Sequence, residues 1–377
     1  LERLRMVIVN HVAQLGGAER VLMNMLQHLD RDSYDAELVF LEEGPLVGQA
    51  ERLGYRVHVH PSGRLRNPVQ FARTVAALRR VIRESRAGLV VNWASKPHMY
   101  GGTAAGLERV PAVWWQHGVP GGSLFERIVS RIPARSVICP SDAVSCEQKK
   151  INARSRVVIQ YPGIEDRQFR FDEAVRDAVR RRYGIQESAL VFSYVGRLQR
   201  WKRADIVIEA FREALGGKDA HLLIVGGALF GVDKEVEDEL RKLVRKYDLD
   251  GQVTFTGHQS RIEPYMWASD IIVHSSLFEP FGMVIIEAMA SGRIVLAVNR
   301  GGPAEIIRHG TDGLLYDGSV RQLADNMEQI WRHRSRYEDM SAAAVETVRR
   351  RFSAGVMTEG FQRLVETAAA RAGGGGE

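Results

Sequence analysis

Residues 271–298 read IIVHSSLFEPFGMVIIEAMASGRIVLAV. The short apolar run Ile271–His274 reads as a strand. Pro280 and Gly282 shape a turn, a helical run Met283–Ala290 follows, and Ile294–Val298 is a second strand. Strand, helix and strand at this spacing predict a crossover unit with parallel strands. The same alternation continues outward. Upstream are strands at Leu190–Val195, His221–Val225 and Val253–Thr256, with helices at Ala204–Ala214 and Glu235–Tyr247. Downstream are a short strand at Gly313–Tyr316 and helices to about Ala370. The turn cluster Tyr161-Pro162-Gly163 separates this series from an earlier one. There the strands are Met6–Val12, Ala36–Leu41, Arg56–His60, Leu89–Trp93, Ala112–Gln116, Ser136–Pro140 and Val157–Ile159, with helices at Ala18–Leu29 and Pro68–Arg86. Such alternation predicts an α/β chain made of two successive Rossmann-like units.

The length agrees. A chain of 377 residues exceeds the ~250–300 at which single cores stop growing. The expected division is 1–162 and 163–352, with a helix at about 353–370 packing back on the first domain and a disordered tail at 371–377. A composition 45% hydrophobic and 26% charged is that of a globular protein, and no apolar run approaches the ~20 residues of a membrane span. The opening LERLRMVIVN runs straight into a strand without a signal-peptide pattern. Cys139 and Cys146 are too few for a disulfide framework or metal cluster, so a reducing, cytoplasmic setting is expected. The net charge of +6 is uneven: residues 1–165 hold 22 basic and 15 acidic side chains. No aromatic-interleaved basic stretch or zinc spacing points to nucleic acid.

Open α/β sheets bind ligands beyond the carboxyl ends of their strands, so the loops after strands carry the candidates. Gly16-Gly17, after the first strand, lets backbone N–H groups approach an anion, although a plain tight turn explains it equally well. The fingerprint G-x-G-x-x-G is absent there, which argues against a dinucleotide enzyme. Val195-Gly196-Arg197-Leu198 followed by Lys202 places two cations five residues apart after a strand, as a diphosphate requires. The alternative is a solvated basic loop, to which Arg200 and Arg203 also belong. Glu279-Pro280-Phe281-Gly282-Met283-Val284 leads into a helix at whose start the backbone N–H groups of Phe281–Val284 are expected to point into a ligand cleft. Glu287 follows about one turn on, in an apolar setting of Ile285, Ile286, Ala288, Met289 and Ala290, and suits the vicinal hydroxyls of a ribose. His117, in Trp114-Trp115-Gln116-His117-Gly118, stands at a strand end where a ligand is within reach, although a lone His is more often structural. Asp248 and Asp250 form a D-x-D in a helix-to-strand connection and read as turn and cap residues.

Together these sites resemble the retaining glycosyltransferases of family 4, with the GT-B fold of two Rossmann-like domains facing each other across a cleft. The resemblance covers nearly the whole chain. It is most specific in Val253–Tyr316: VTFTGH with Gly257, a W-A-S-D step, the Glu–seven residues–Glu motif, EAMASG, NRGGPAEII and TDGLLY. VGRL with Lys202 five after Arg197 comes next. The family pattern departs at Arg203, where Gly is frequent, at Tyr161-Pro162-Gly163, where an Asn is lost, and at Gly226-Gly227-Ala228, in place of a frequent G-x-G.

The resemblance implies that Arg197 and Lys202 neutralise the donor diphosphate, Gly17 beside Gly16 approaches it, and Glu287 holds the ribose. Gly257 belongs to the donor side. Glu279 and the amides of Phe281, Gly282, Met283 and Val284 bind the transferred sugar, and His117 contacts it near the reacting centre. The expected reaction is retaining transfer of a hexose-type sugar from a UDP- or GDP-sugar to a hydroxyl acceptor, with no metal and no cofactor. The rivals are a sugar-nucleotide 2-epimerase of the same fold and a non-catalytic sugar-nucleotide binder.

A last expectation concerns residues 64–86. Arg64, Arg66, Arg73, Arg79, Arg80, Arg83 and Arg86 meet only Glu84, while Val69, Ala72, Val75, Ala76, Leu78 and Ile82 supply an apolar face. A basic amphipathic helix of this kind lies on anionic membrane, here on the inner face, or packs its apolar side on the core.

Overall fold

A computed structural model describes residues 3–14, 16–63, 67–227 and 234–373. The chain divides into two compact units, Leu1–Ile164 with Phe352–Glu377, and Glu165–Arg351.

Among the described residues the first unit has seven strands: β1 Leu4–Asn10, β2 Tyr34–Phe40, β3 Arg56–Val59, β4 Leu89–Asn92, β5 Ala112–Trp115, β6 Ser136–Cys139 and β7 Val157–Ile159. They form one parallel sheet in the order β3-β2-β1-β4-β5-β6-β7. Ile8 of β1 lies between Leu38 of β2 and Val91 of β4, and all three are fully buried. Burial on both faces explains why the central strands read as continuous apolar runs. Trp93 Nε1 donates to Ala18 O at 2.9 Å, fixing the end of β4 to the start of the helix Gly17–His28.

The C-terminal helix Ala354–Gly373 belongs to this unit and packs on Gly17–His28. Phe361 is fully buried and stacks 5.8 Å from Trp115. Ile164 and Ala354 are joined at 2.7 Å through carbonyl and amide. A Cβ at Gly163 would lie 2.5 Å from Ser353 O, so the Tyr161-Pro162-Gly163 turn admits only glycine at its last position. The helix continues through 371–373, where a disordered tail was expected; 374–377 lie outside the described residues.

The basic helix is Pro68–Glu84, capped by Asn67 Oδ1, which accepts from Gln70 N. Val75, Leu78, Val81 and Ile82 are buried, so its main apolar stripe faces the core rather than a membrane. Val69, Ala72 and Ala76 are exposed, as are Arg73, Arg80, Arg83 and Arg86. Arg79 and Arg83 both reach Glu108, at 2.5 and 3.3 Å. Arg64 and Arg66 lie outside the described residues.

Among the described residues the second unit has six strands: β8 Leu190–Val195, β9 Ala220–Val225, β10 Val253–Gly257, β11 Ile271–His274, β12 Ile294–Val298 and β13 Leu314–Tyr316. They too are all parallel, in the order β10-β9-β8-β11-β12-β13. The order reverses between β8 and β11, so the chain leaves these two neighbours in opposite directions and opens a crevice at their carboxyl ends.

Two buried histidines tie stability to pH. His98, stacked on Trp114 at 5.0 Å, and His221, bonded to Thr254 Oγ1 at 3.0 Å, are each pulled by burial from 6.5 to about 4. The unfolded chain protonates these rings near 6.5 while the folded chain does not, so their contribution is complete above that pH and is lost as pH falls toward about 4. Melting temperature is therefore expected to drop through this window. His221→Asn, which keeps a partner for Thr254 but takes up no proton, flattens the drop; an unchanged slope in a pH series of thermal melts contradicts the assignment.

Candidate functional site

The side chains of greatest chemical interest in the second unit gather at its switch point. After β8 the chain passes Gly196 and Arg197, whose carbonyl accepts from the Tyr194 phenol at 2.9 Å. A short turn, Arg200–Lys202, follows. Ser275 Oγ, just past β11, donates to Lys202 O at 2.7 Å, so the loops from the two diverging strands are pinned together. Gly226, at φ 143°, permits a further approach: a Cβ there would lie 1.9 Å from Gly196 O. Gly257 closes β10, and its carbonyl accepts from Gly226 N at 3.1 Å.

Glu279 is the centre of the arrangement. Lys202 Nζ lies 2.5 Å and His274 Nε2 3.2 Å from the same carboxylate oxygen, Oε2. Burial pushes the Glu279 carboxyl up, but the His274 hydrogen bond and the Lys202 charge outweigh it and bring it down to about 2. The group is thus a fixed anion and a weak base. Lys202 also sits 4.2 Å over the Trp201 ring. Arg197 is exposed and makes no ion pair among the described residues. The two cations therefore differ: one is held by a carboxylate, the other is open to an anion.

The helix Met283–Ala290 starts from Gly282, at φ 112°, and no side chain of its N-cap bonds to its first amides. Met283 and Val284 are half-buried, whereas Phe281 is buried. Glu287 is buried, and its helix neighbours Ile285, Ile286 and Ala288 are wholly inaccessible. The loop after β12 supports this turn by backbone contact. Gly302 N donates to Glu279 O at 3.1 Å, and Cβ atoms at Gly301 and Gly302 would come 2.8 Å from Glu279 O and 2.2 Å from Phe281 O. The run NRGGPAEII thus contains two glycines that shape the Glu279 loop, a role the sequence analysis did not give them. Two aromatics it passed over, Trp201 and Phe278, are exposed on the loops that carry Lys202 and Glu279. An apolar ring beside a charged loop residue was the available signal.

The other sequence candidates lie on the first unit. Gly16 and Gly17 do open a helix, but the anion at its head is the chain's own Glu19. Its carboxylate is buried, and a Cβ at Gly16 would lie 2.6 Å from its Oε2. Burial raises the Glu19 carboxyl, while its own and the Gly16 amides oppose the rise. His117 follows β5 and is stacked on Trp115 at 5.5 Å, with Trp93 5.1 Å away. Its Nε2 is closed off and has no partner among the described residues, and burial pulls the ring down to about 3, so it is neutral. Asp248, at φ 54°, sits in the turn entering β10, at the sheet edge away from Glu279, as a turn residue should. Among the described residues no His, Cys, Asp and Glu side chains cluster so as to hold a metal ion, and no helix is long and apolar enough to cross a membrane.

Comparison with known proteins agrees with this layout. Residues 15–168 match the family described as Glycosyltransferase Family 4, and residues 175–347 match Glycosyl transferases group 1. The chain is 30% identical over 175 residues to N-acetyl-alpha-D-glucosaminyl L-malate synthase of Bacillus anthracis, covering 46% of this chain and 44% of that protein. It is 34% identical over 169 residues to D-inositol 3-phosphate glycosyltransferase of Rhodococcus opacus, covering 44% and 37%. The matched segment thus spans less than half of these relatives. Among solved structures, Alr3699/HepE of Anabaena in complex with UDP and glucose superposes with a TM-score of 0.84 at 22% identity, over 97% of this chain and all of that one. Sucrose-phosphate synthase from Thermosynechococcus elongatus gives 0.80 at 18% identity, over 98% of this chain and 100% of that one. These likenesses show a GT-B fold. With two parallel Rossmann-like units and the two family matches following one another along residues 15–168 and 175–347, the protein belongs to glycosyltransferase family 4.

Proposed function

We propose that this enzyme transfers a hexose-type sugar from a UDP- or GDP-sugar to a hydroxyl acceptor with retention of configuration. The observation that carries the reading is the Lys202–Glu279–His274 cluster at the switch point of the second unit, beside the open cation Arg197. In this proposal Arg197 and Lys202 take the diphosphate, with Gly257 alongside. Glu287 takes the ribose hydroxyls. Glu279 and the Phe281–Val284 amides take the sugar hydroxyls. Gly16, Gly17 and His117 of the first unit are proposed as donor-binding residues. Because Glu19 already occupies the amides at Gly16, a phosphate reaches them only if Glu19 moves aside. A UDP-sugar is favoured by the UDP and glucose bound in Alr3699/HepE.

Retention is supported by the chemistry of the carboxylates. Glu279, at about 2, is a poor general base. The proposal therefore breaks the bond between the anomeric carbon and the phosphate oxygen and forms the new bond on the same face. The acceptor proton passes to the departing phosphate. Arg197 and Lys202 stabilise the charge that develops there, so no metal or other cofactor is needed. We place the enzyme in the cytoplasm, in peripheral contact with anionic membrane through the exposed arginines of Pro68–Glu84.

A thermal-shift series with UDP-, GDP- and ADP-sugars tests the donor, because a ligand at 100 times its Kd stabilises the fold by about 2.7 kcal/mol. One of the first two is expected to raise the melting temperature, equally with and without EDTA. Stabilisation that disappears on chelation contradicts the metal-free reading. Conversion of the donor to an epimer without acceptor contradicts transfer.

A further inference from the structure

His274 has an unusual place for a polar residue. It ends β11, a central strand whose other residues are Ile271, Ile272 and Val273, and it is itself buried. Its Nε2 bonds to Glu279 Oε2 at 3.2 Å. With the proton on Nε2, the ring donates to the carboxylate, and Nδ1 is then a buried acceptor with no partner among the described residues. An apolar residue would end the strand without that cost, so the ring is retained for its bond to Glu279.

The second observation is which oxygen is held. Lys202 and His274 both converge on Oε2, and no hydrogen bond from the described residues reaches Oε1. The two partners are unequal. Lys202 carries a flexible ammonium on the loop after β8, and a diphosphate with at least two negative charges competes with Glu279 for it. His274 is fixed by the strand, pairs with Ala297 of β12, and cannot follow. We propose that His274 is a positioning residue for Glu279. It keeps hold of Oε2 when the donor diphosphate draws Lys202 away, and leaves Oε1 turned to the sugar hydroxyls. The inference rests on the donor reading above and adds a residue that acts through Glu279 rather than on the substrate.

The test uses the full chain with UDP-glucose and UDP, and GDP-mannose and GDP in parallel. Turnover is followed as nucleotide release with water as acceptor, and nucleotide affinity by calorimetry. His274→Phe keeps a ring but loses the donor, and is expected to lower kcat roughly 10- to 100-fold, the scale of a misplaced catalytic group. Affinity for the free nucleotide, which carries no sugar, stays within about twofold because its diphosphate and base contacts are untouched. His274→Gln, whose amide nitrogen can stand near the position of Nε2, recovers most of the lost kcat. His274→Val, suited to the strand, replaces the Phe variant if that one does not melt cooperatively. Parent-like kcat in the apolar variant overturns the inference, as does a Gln variant no better than the apolar one or a matching loss of nucleotide affinity. If the unaltered protein binds neither nucleotide nor its sugar, the donor reading itself fails and takes this inference with it.

Discussion

Lys202→Ala is expected to lower kcat/KM for sugar-nucleotide turnover by about 30- to 1,000-fold, equivalent to roughly 2–4 kcal/mol of transition-state stabilisation. Two effects add. The leaving diphosphate loses a cation held where its charge develops. Glu279 loses its 2.5 Å ionic partner and keeps only His274, so a buried carboxylate is left undercompensated. The second effect separates Lys202 from Arg197. Arg197 is exposed and unpaired among the described residues, so Arg197→Ala costs activity without disturbing Glu279. Steady-state kinetics with a thermal melt of each variant checks this. Unchanged kcat/KM in both variants removes the diphosphate assignment.

Glu279→Gln is expected to lower kcat by roughly 100-fold or more while leaving nucleotide affinity nearly intact, on the scale of losing one charged contact to the reacting sugar. The substitution keeps the shape of the side chain. It removes the anion that Lys202 and His274 hold and replaces one acceptor oxygen with a donor. If Glu279 were instead a nucleophile, a sugar would be bound covalently during turnover of the parent enzyme. Intact mass spectrometry during turnover is expected to show no such adduct. A mass increase of one hexose on the parent chain overturns the mechanism, and full activity of the Gln variant overturns the role of Glu279.

Much of this was legible in the sequence, and the parts that were not have physical reasons. Strands buried on both faces read as nearly continuous apolar runs, so Leu190–Val195, Ile271–His274 and Ile294–Val298 were read with the bounds the structure gives. The helix Met283–Ala290 was bounded by Gly282, whose positive φ requires it. Short helices such as Pro45–Arg52, Asp142–Ile151 and Glu173–Arg182 were missed, because two or three turns carry too little periodicity to stand out. The basic stretch was ambiguous for a different reason. An apolar stripe looks the same whether it faces a core or a bilayer, and only the burial of Val75, Leu78 and Ile82 decides. The loops after β8 and β11 were singled out as candidates, but nothing in the sequence showed that Ser275 pins them together or that His274 and Lys202 share one oxygen of Glu279. Those contacts span 73 and 77 residues of chain in the case of Ser275 and Glu279 with Lys202, and a pairing across that distance leaves no local pattern. Glu19 escaped notice because it reads as an ordinary first-turn acid, although it fills the anion position that the glycines create.

The central claim is same-face transfer from a sugar nucleotide on a site that holds Glu279 as a weak base. Proton NMR of the first sugar released from the α-linked donor UDP-glucose, recorded before the free sugar mutarotates, tests it without knowledge of the natural acceptor. The account predicts α-glucose as the first signal; β-glucose as the first signal would contradict it.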